Sequence, residues 1–181
     1  MTDEHWDLTA HVRGALAEAL VAEAIYRRHA DVVLHAPRHP GYDVSSETGG
    51  LRVDAKVSVL VEADLDGNGT EPAAEWDAGT RPDVLHESAT HLGLVVLDDS
   101  LTALRLFEGG EAVLSGEVVA HGRVFLVPGD VARAEAQPVW STRHGRPSAG
   151  RFRYLGLSVI EPFEVDFQSG SSPAGMKCWR R

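Results

Sequence analysis

Residues 41–62 read GYDVSSETGGLRVDAKVSVLVE. Two β-type runs, Gly41 to Ser46 and Leu51 to Glu62, flank the turn-forming pair Gly49-Gly50, which predicts two adjacent strands joined as a hairpin. In the second run Leu51, Val53, Ala55, Val57, Val59 and Val61 fall on one face, because strand side chains alternate with period two. Asp54 and Lys56 therefore share the other face, and the hairpin brings Asp43 beside them. Two carboxylates and one ammonium converge on one spot.

Working outward, Asp31 to His35 is a further β-type run, set off by Pro37 and Pro40. Upstream, Trp6 to His29 is rich in Ala, Leu, Glu and Arg without proline, which predicts a helix capped by Asp7 or Thr9. Val12, Leu16 and Leu20 fall on one side of it and Val21 and Ile25 on the opposite side, the pattern of a buried or sandwiched helix. Downstream, Asp83 to His91 reads as a short helix and Gly93 to Leu97 as a buried strand. Strand-like runs follow at Thr102 to Phe107, Glu117 to Ala120, Arg123 to Val127 and Arg151 to Ile160, before a biased tail around Ser169 to Gly175.

The expected class is α/β. A core over residues 8–97 in the order α-β-β-β-α-β, with a mixed sheet flanked by helices, is followed by a β-rich extension over 98–165 and a flexible tail over 166–181. At 181 residues and 43% hydrophobic content, one domain is the expectation.

The carboxylate pair has a use in phosphodiester hydrolysis. Such groups hold Mg²⁺, a hard cation that prefers oxygen ligands, and the cation polarises phosphate and lowers the pKa of a bound water. A neighbouring lysine orients that water or neutralises developing charge.

Gly41-Tyr42-Asp43, a ten-residue gap and Asp54-Ala55-Lys56 resemble the PD-(D/E)xK motif of restriction-endonuclease-like nucleases, whose core has the same order of elements. Gly14-Ala-Leu-Ala-Glu18 is similar to the glycine and glutamate of the first helix in Holliday-junction-resolvase-like members. The resemblance spans roughly residues 8–97. It implies that Asp43, Asp54, the carbonyl of Ala55 and Glu18 are ligands of Mg²⁺ or Mn²⁺, and that Lys56 assists the attacking water. Ser58 also resembles a polar residue common two positions after that lysine. Tyr42 replaces the family's proline, and Asp54 stands where glutamate is commoner. Glu23 competes with Glu18, since the two lie about 140° apart on the helix and only one can face the site.

Asp64 to Glu75, DLDGNGTEPAAE, fits the spacing of an EF-hand loop with Asp64, Asp66, Asn68 and Glu75 as ligands and Gly69 at the turn. It follows a strand rather than a helix, and carries Glu71 at the usually apolar eighth position, just before Pro72. An acidic loop and an isolated Ca²⁺ site both stay open. Arg143, His144, Arg146, Arg151 and Arg153, interleaved with Trp140, Phe152 and Tyr154, suit phosphate contacts and base stacking, or else form a basic loop balancing an acidic body.

The net charge is −10, and Asp43 to Thr90 contains eleven acids against three bases, so nucleic-acid affinity falls to that arginine-rich segment. The start MTDEHWDL lacks the features of a secretory signal, no run of apolar residues is long enough to span a bilayer, and Cys178 has no cysteine partner. These features predict a cytoplasmic protein with no membrane contact. The function expected from the motif is metal-dependent hydrolysis of DNA, by a homodimer or within a larger nuclease complex. The alternatives are a nuclease-fold subunit that binds nucleic acid or a protein without cleaving, and an acidic Ca²⁺-binding interaction domain.

Overall fold

The computed structural model describes residues 4–36, 39–65, 67, 69–79, 83–97, 122–138 and 152–165. Helix α1 (Glu4–Tyr26) precedes strands β1 (Val33–Leu34), β2 (Val44–Ser46), β3 (Leu51–Asp64), β4 (Thr70–Asp77), β5 (His91–Leu97) and β6 (Gly122–Pro128). Helix α2 (Gly129–Glu135), strands β7 (Gln137–Pro138) and β8 (Phe152–Gly156), helix α3 (Leu157–Ile160) and a 3-10 turn (Glu161–Phe163) follow. The described residues thus form a mixed α/β structure with one curled, largely antiparallel sheet and few helices.

β3 organises that sheet. On one side it runs parallel to β5 from Val53 to Val59. On the other it pairs antiparallel first with β2, through Leu51, Arg52 and Val53, and then with β4, from Ser58 to Asp64. Val53 pairs with both β2 and β5, and Ser58 and Val59 with both β4 and β5, so β2 and β4 must lie on the same side of β3. Between them, no strand among the described residues pairs with Asp54 to Val57 on that side.

Several expectations change. Asp83 to His91 is not a helix: it makes bends and turns, and His91 already begins β5. Tertiary hydrogen bonds hold it there, with Thr90 N donating to Arg52 O at 2.8 Å and Arg133 Nη2 to the carbonyls of His86 and Ala89 at 3.2 and 3.4 Å. The order α-β-β-β-α-β is therefore not reproduced, because β4 and turns connect β3 to its parallel neighbour β5. The acidic segment is no EF-hand loop either. Asp64 accepts from Gly67 N at 2.8 Å in the β3–β4 turn, while Glu75 stands in β4 opposite Val59. Five register steps separate the two carboxylates, about 16 Å of strand, too far to share one Ca²⁺.

The C-terminal strands join the same sheet, β6 beside β5 and β8 beside β4. The runs Thr102 to Phe107 and Glu117 to Ala120 and the tail 166–181 lie outside the described residues.

α1 begins upstream of its expected caps, so Asp7 and Thr9 lie within it. Ala17, Leu20, Val21, Ala24 and Ile25 form a buried stripe at helical spacing, packed on Val44, Val53, Ala55 and Val95 of the sheet. Leu20 and Val21, assigned to opposite sides from sequence, are both in this stripe, because small alanines widen it. The opposite face of the sheet carries a second cluster of Trp76, Leu85, Leu92, Leu94, Phe125, Val127, Leu155 and Ile160.

Gly93 of β5 sets how closely α1 approaches. A Cβ there would lie 2.8 Å from both Val21 Cγ2 and Val53 Cγ1. Gly93→Ala is expected to lift the helix and lower stability by about 1–3 kcal/mol, read as a lower urea midpoint. An unchanged midpoint would show that the helix does not rest on this contact.

Candidate active site

The gap in the ladder beside β3 is where the candidate residues meet. A strand residue directs its N–H and C=O to the same neighbour, so Ala55 presents both groups to the vacant side. Asp43 occupies that side. Its N–H donates to Val53 O at 2.9 Å, continuing the β2 ladder by one bond, and its carboxylate Oδ2 then accepts from Ala55 N at 2.9 Å. A side chain here replaces a missing strand. The backbone of Asp43 is pinned from the other side as well, since its carbonyl accepts from His35 N at 2.8 Å.

Asp54 and Lys56 leave β3 on one face, as period two requires. Asp54 is buried, and Lys56 Nζ donates to Asp54 Oδ1 and, at 3.3 Å, to the carbonyl of Ala55. Glu18 enters from α1, half-buried, in the stretch of helix that packs on Val53 and Ala55. Its pKa is pushed up to about 7 by burial and then by the charge of Asp43, against the attraction of Lys56, with Asp54 adding repulsion. Asp43 is also raised above the ordinary carboxylate range, chiefly by burial, although the Ala55 N–H and Lys56 favour its ionised form. Three carboxyl groups thus sense one another around one ammonium.

The choice between the two helix glutamates follows from these contacts. Glu23 Oε1 accepts from Arg27 Nη2 at 2.9 Å, one helical turn along, whereas Glu18 interacts with Asp43, Asp54 and Lys56. The sequence also predicted the arginine-rich segment as a nucleic-acid contact. Arg143, Arg146 and Arg151 lie outside the described residues, and Arg153 stands in β8 opposite Trp76, which stands opposite Ser58. That row puts Arg153 on the same sheet face as Asp54 and Lys56.

The structure adds contacts to two features that the sequence offered only as patterns. His35, His39 and Tyr42 form a ring cluster beside Asp43, with centroids 4.3, 4.7 and 5.0 Å apart. Burial lowers the His35 pKa. The signal was present as two histidines spaced around Pro37 just ahead of Asp43. The second feature is Ser58, buried with a hydroxyl that has no partner among the described residues. Its place two residues after Lys56 was the available clue.

The donor set is all oxygen: three carboxylates and the Ala55 carbonyl, which matches the preference of Mg²⁺ or Mn²⁺. Among the described residues no three His, Cys, Asp or Glu side chains already stand close enough to hold a metal, and Lys56 covers Asp54. Comparison of the chain with protein-family models, curated proteins and solved structures found no match.

The raised Glu18 pKa has a consequence for stability. A carboxyl whose folded pKa lies above its ordinary value of 4.5 favours the folded state most below that value, and the benefit is lost as pH rises through about 7. Glu18→Gln is therefore expected to stabilise the protein at pH 8, by about 1–2 kcal/mol after discounting for solvent screening, and to change little at pH 4. Thermal melts at the two pH values measure this. An equal shift at both would mean that Glu18 does not feel the site's charge.

Proposed function

We propose that the chain is a divalent-metal-dependent nuclease that hydrolyses DNA phosphodiester bonds, with Asp43, Asp54, Lys56 and Glu18 as its active-site residues. One observation carries this reading: the Asp43 carboxylate, the Ala55 backbone, Asp54 and Lys56 gather at an unpaired stretch of β3, with Glu18 directed there from α1. In this reading the protein has a restriction-endonuclease-like core in which β4 and turns take the place of the second helix.

Asp43, Asp54, Glu18 and the carbonyl of Ala55 would hold Mg²⁺ or Mn²⁺. When bound, such a cation supplies an activated water and polarises the phosphate. Lys56 then orients the attacking water, or donates to a phosphate oxygen as negative charge builds on it. Water oxygen forms the new bond to phosphorus while the bond to the leaving sugar oxygen breaks. The water's proton passes to bulk solvent, and the departing sugar oxygen takes one up. Arg153, two strands across and two residues along from Lys56 and so about 12 Å away, would meet a flanking phosphate.

The test is a cleavage assay with Mg²⁺ or Mn²⁺ on duplex, single-stranded and branched DNA. Asp54→Ala and Lys56→Ala are each expected to reduce the rate on the order of 100-fold to 1,000-fold. Cleavage that survives either substitution contradicts the assignment. Absence of cleavage on every substrate favours a binding subunit that has lost the chemistry.

A further inference from the structure

Ser58 lies two residues beyond Lys56 on β3, so both side chains leave the same face. Ser58 is 1% exposed, and its Oγ has no hydrogen-bond partner among the described residues. Buried hydroxyls are almost always paired, because removal from water without a replacement bond is unfavourable. Directly opposite stands Trp76, 2% exposed, whose indole Nε1 likewise has no partner among the described residues. The indole nitrogen is a donor only, whereas the serine oxygen also accepts.

Lys56 now rests on Asp54 Oδ1 and the Ala55 carbonyl. Both oxygens belong to the donor set assigned to the metal. A cation that takes them displaces the ammonium, which then needs another acceptor. Successive positions on one face of a strand are about 7 Å apart, a distance the flexible four-carbon stem of lysine can span.

We propose that Ser58 is the second station of Lys56: when a divalent cation enters, the ammonium leaves Asp54 and the Ala55 carbonyl and donates to Ser58 Oγ. This keeps the lysine beside the reacting groups while freeing both oxygens. Ser58 acts through Lys56 and is a positioning residue. The inference rests on the metal-site reading given above.

Calorimetric titration of the full chain with Mn²⁺ tests it without any substrate. Ser58→Ala is expected to weaken Mn²⁺ binding about tenfold, the worth of one hydrogen bond to a charged group. Ser58→Thr, which keeps a hydroxyl, should bind as the parent does. In a Lys56→Met background Ser58→Ala should change nothing, because no ammonium needs the acceptor. Equal affinities for the parent and Ser58→Ala would overturn the proposal, as would the same tenfold loss in the Lys56→Met background, which would mark a packing role. A parent that binds no Mn²⁺ overturns this proposal and the metal reading together. The expected pattern without cleavage of any DNA supports the lysine movement and removes only the nuclease reading.

Discussion

The four-residue stretch of β3 from Asp54 to Val57, which no described strand pairs on one side, is the constraint on which the site depends. β5 holds the other edge through an unbroken parallel ladder, so β3 cannot bend away to satisfy itself. β2 leaves after Val53, and β4 arrives only at Ser58. The buried Ala55 N–H must find an acceptor, since unpaired backbone groups are disfavoured, and the Asp43 carboxylate supplies it at 2.9 Å. The same edge presents the Ala55 carbonyl. A break in strand pairing thereby becomes a concentration of oxygen donors.

Packing brings further acids to that spot against their own repulsion. The α1 stripe of Ala17, Leu20, Val21, Ala24 and Ile25 is buried on the sheet, and Gly93 lacks the Cβ that would press on Val21 of the helix. Glu18 is carried along with this apolar contact. Its elevated pKa and that of Asp43 register the energy that packing overcomes, and the Lys56 ammonium offsets part of it. In the proposed reading, a cation would relieve this crowding and let a chain with a net charge of −10 approach phosphate.

What was legible in the sequence was local. The period-two pattern of Leu51 to Val61 and the Gly49-Gly50 turn were enough to place Asp54 and Lys56 on one face and Asp43 alongside, because both signals act within one hairpin. Glu18 and Glu23 could not be separated by the helical wheel alone. Their difference lies in Arg27 for one and in strand residues for the other. Asp83 to His91 has helix-like apolar spacing, yet Arg52 and Arg133, distant in sequence, hold it as turns through its carbonyl and amide groups. β4 was concealed by Pro72 and by the match of Asp64 to Glu75 to a Ca²⁺ loop. Pro72 is tolerated because pairing with β8 starts only at Ala73, so a single neighbouring strand bears the missing N–H. Gly67 and Gly69, with φ of 79° and 136°, serve the β3–β4 turn instead of a cation.

The most direct test of the ladder gap as a metal centre is the titration of isotopically labelled protein with Mg²⁺, followed through its backbone amide resonances. Binding at the gap is expected to move the resonances of Ala55 and Lys56 first, in saturable fashion, and Asp43→Asn should abolish the movement. Saturable shifts confined to Asp64–Glu75, or none at Ala55 and Lys56, would contradict it.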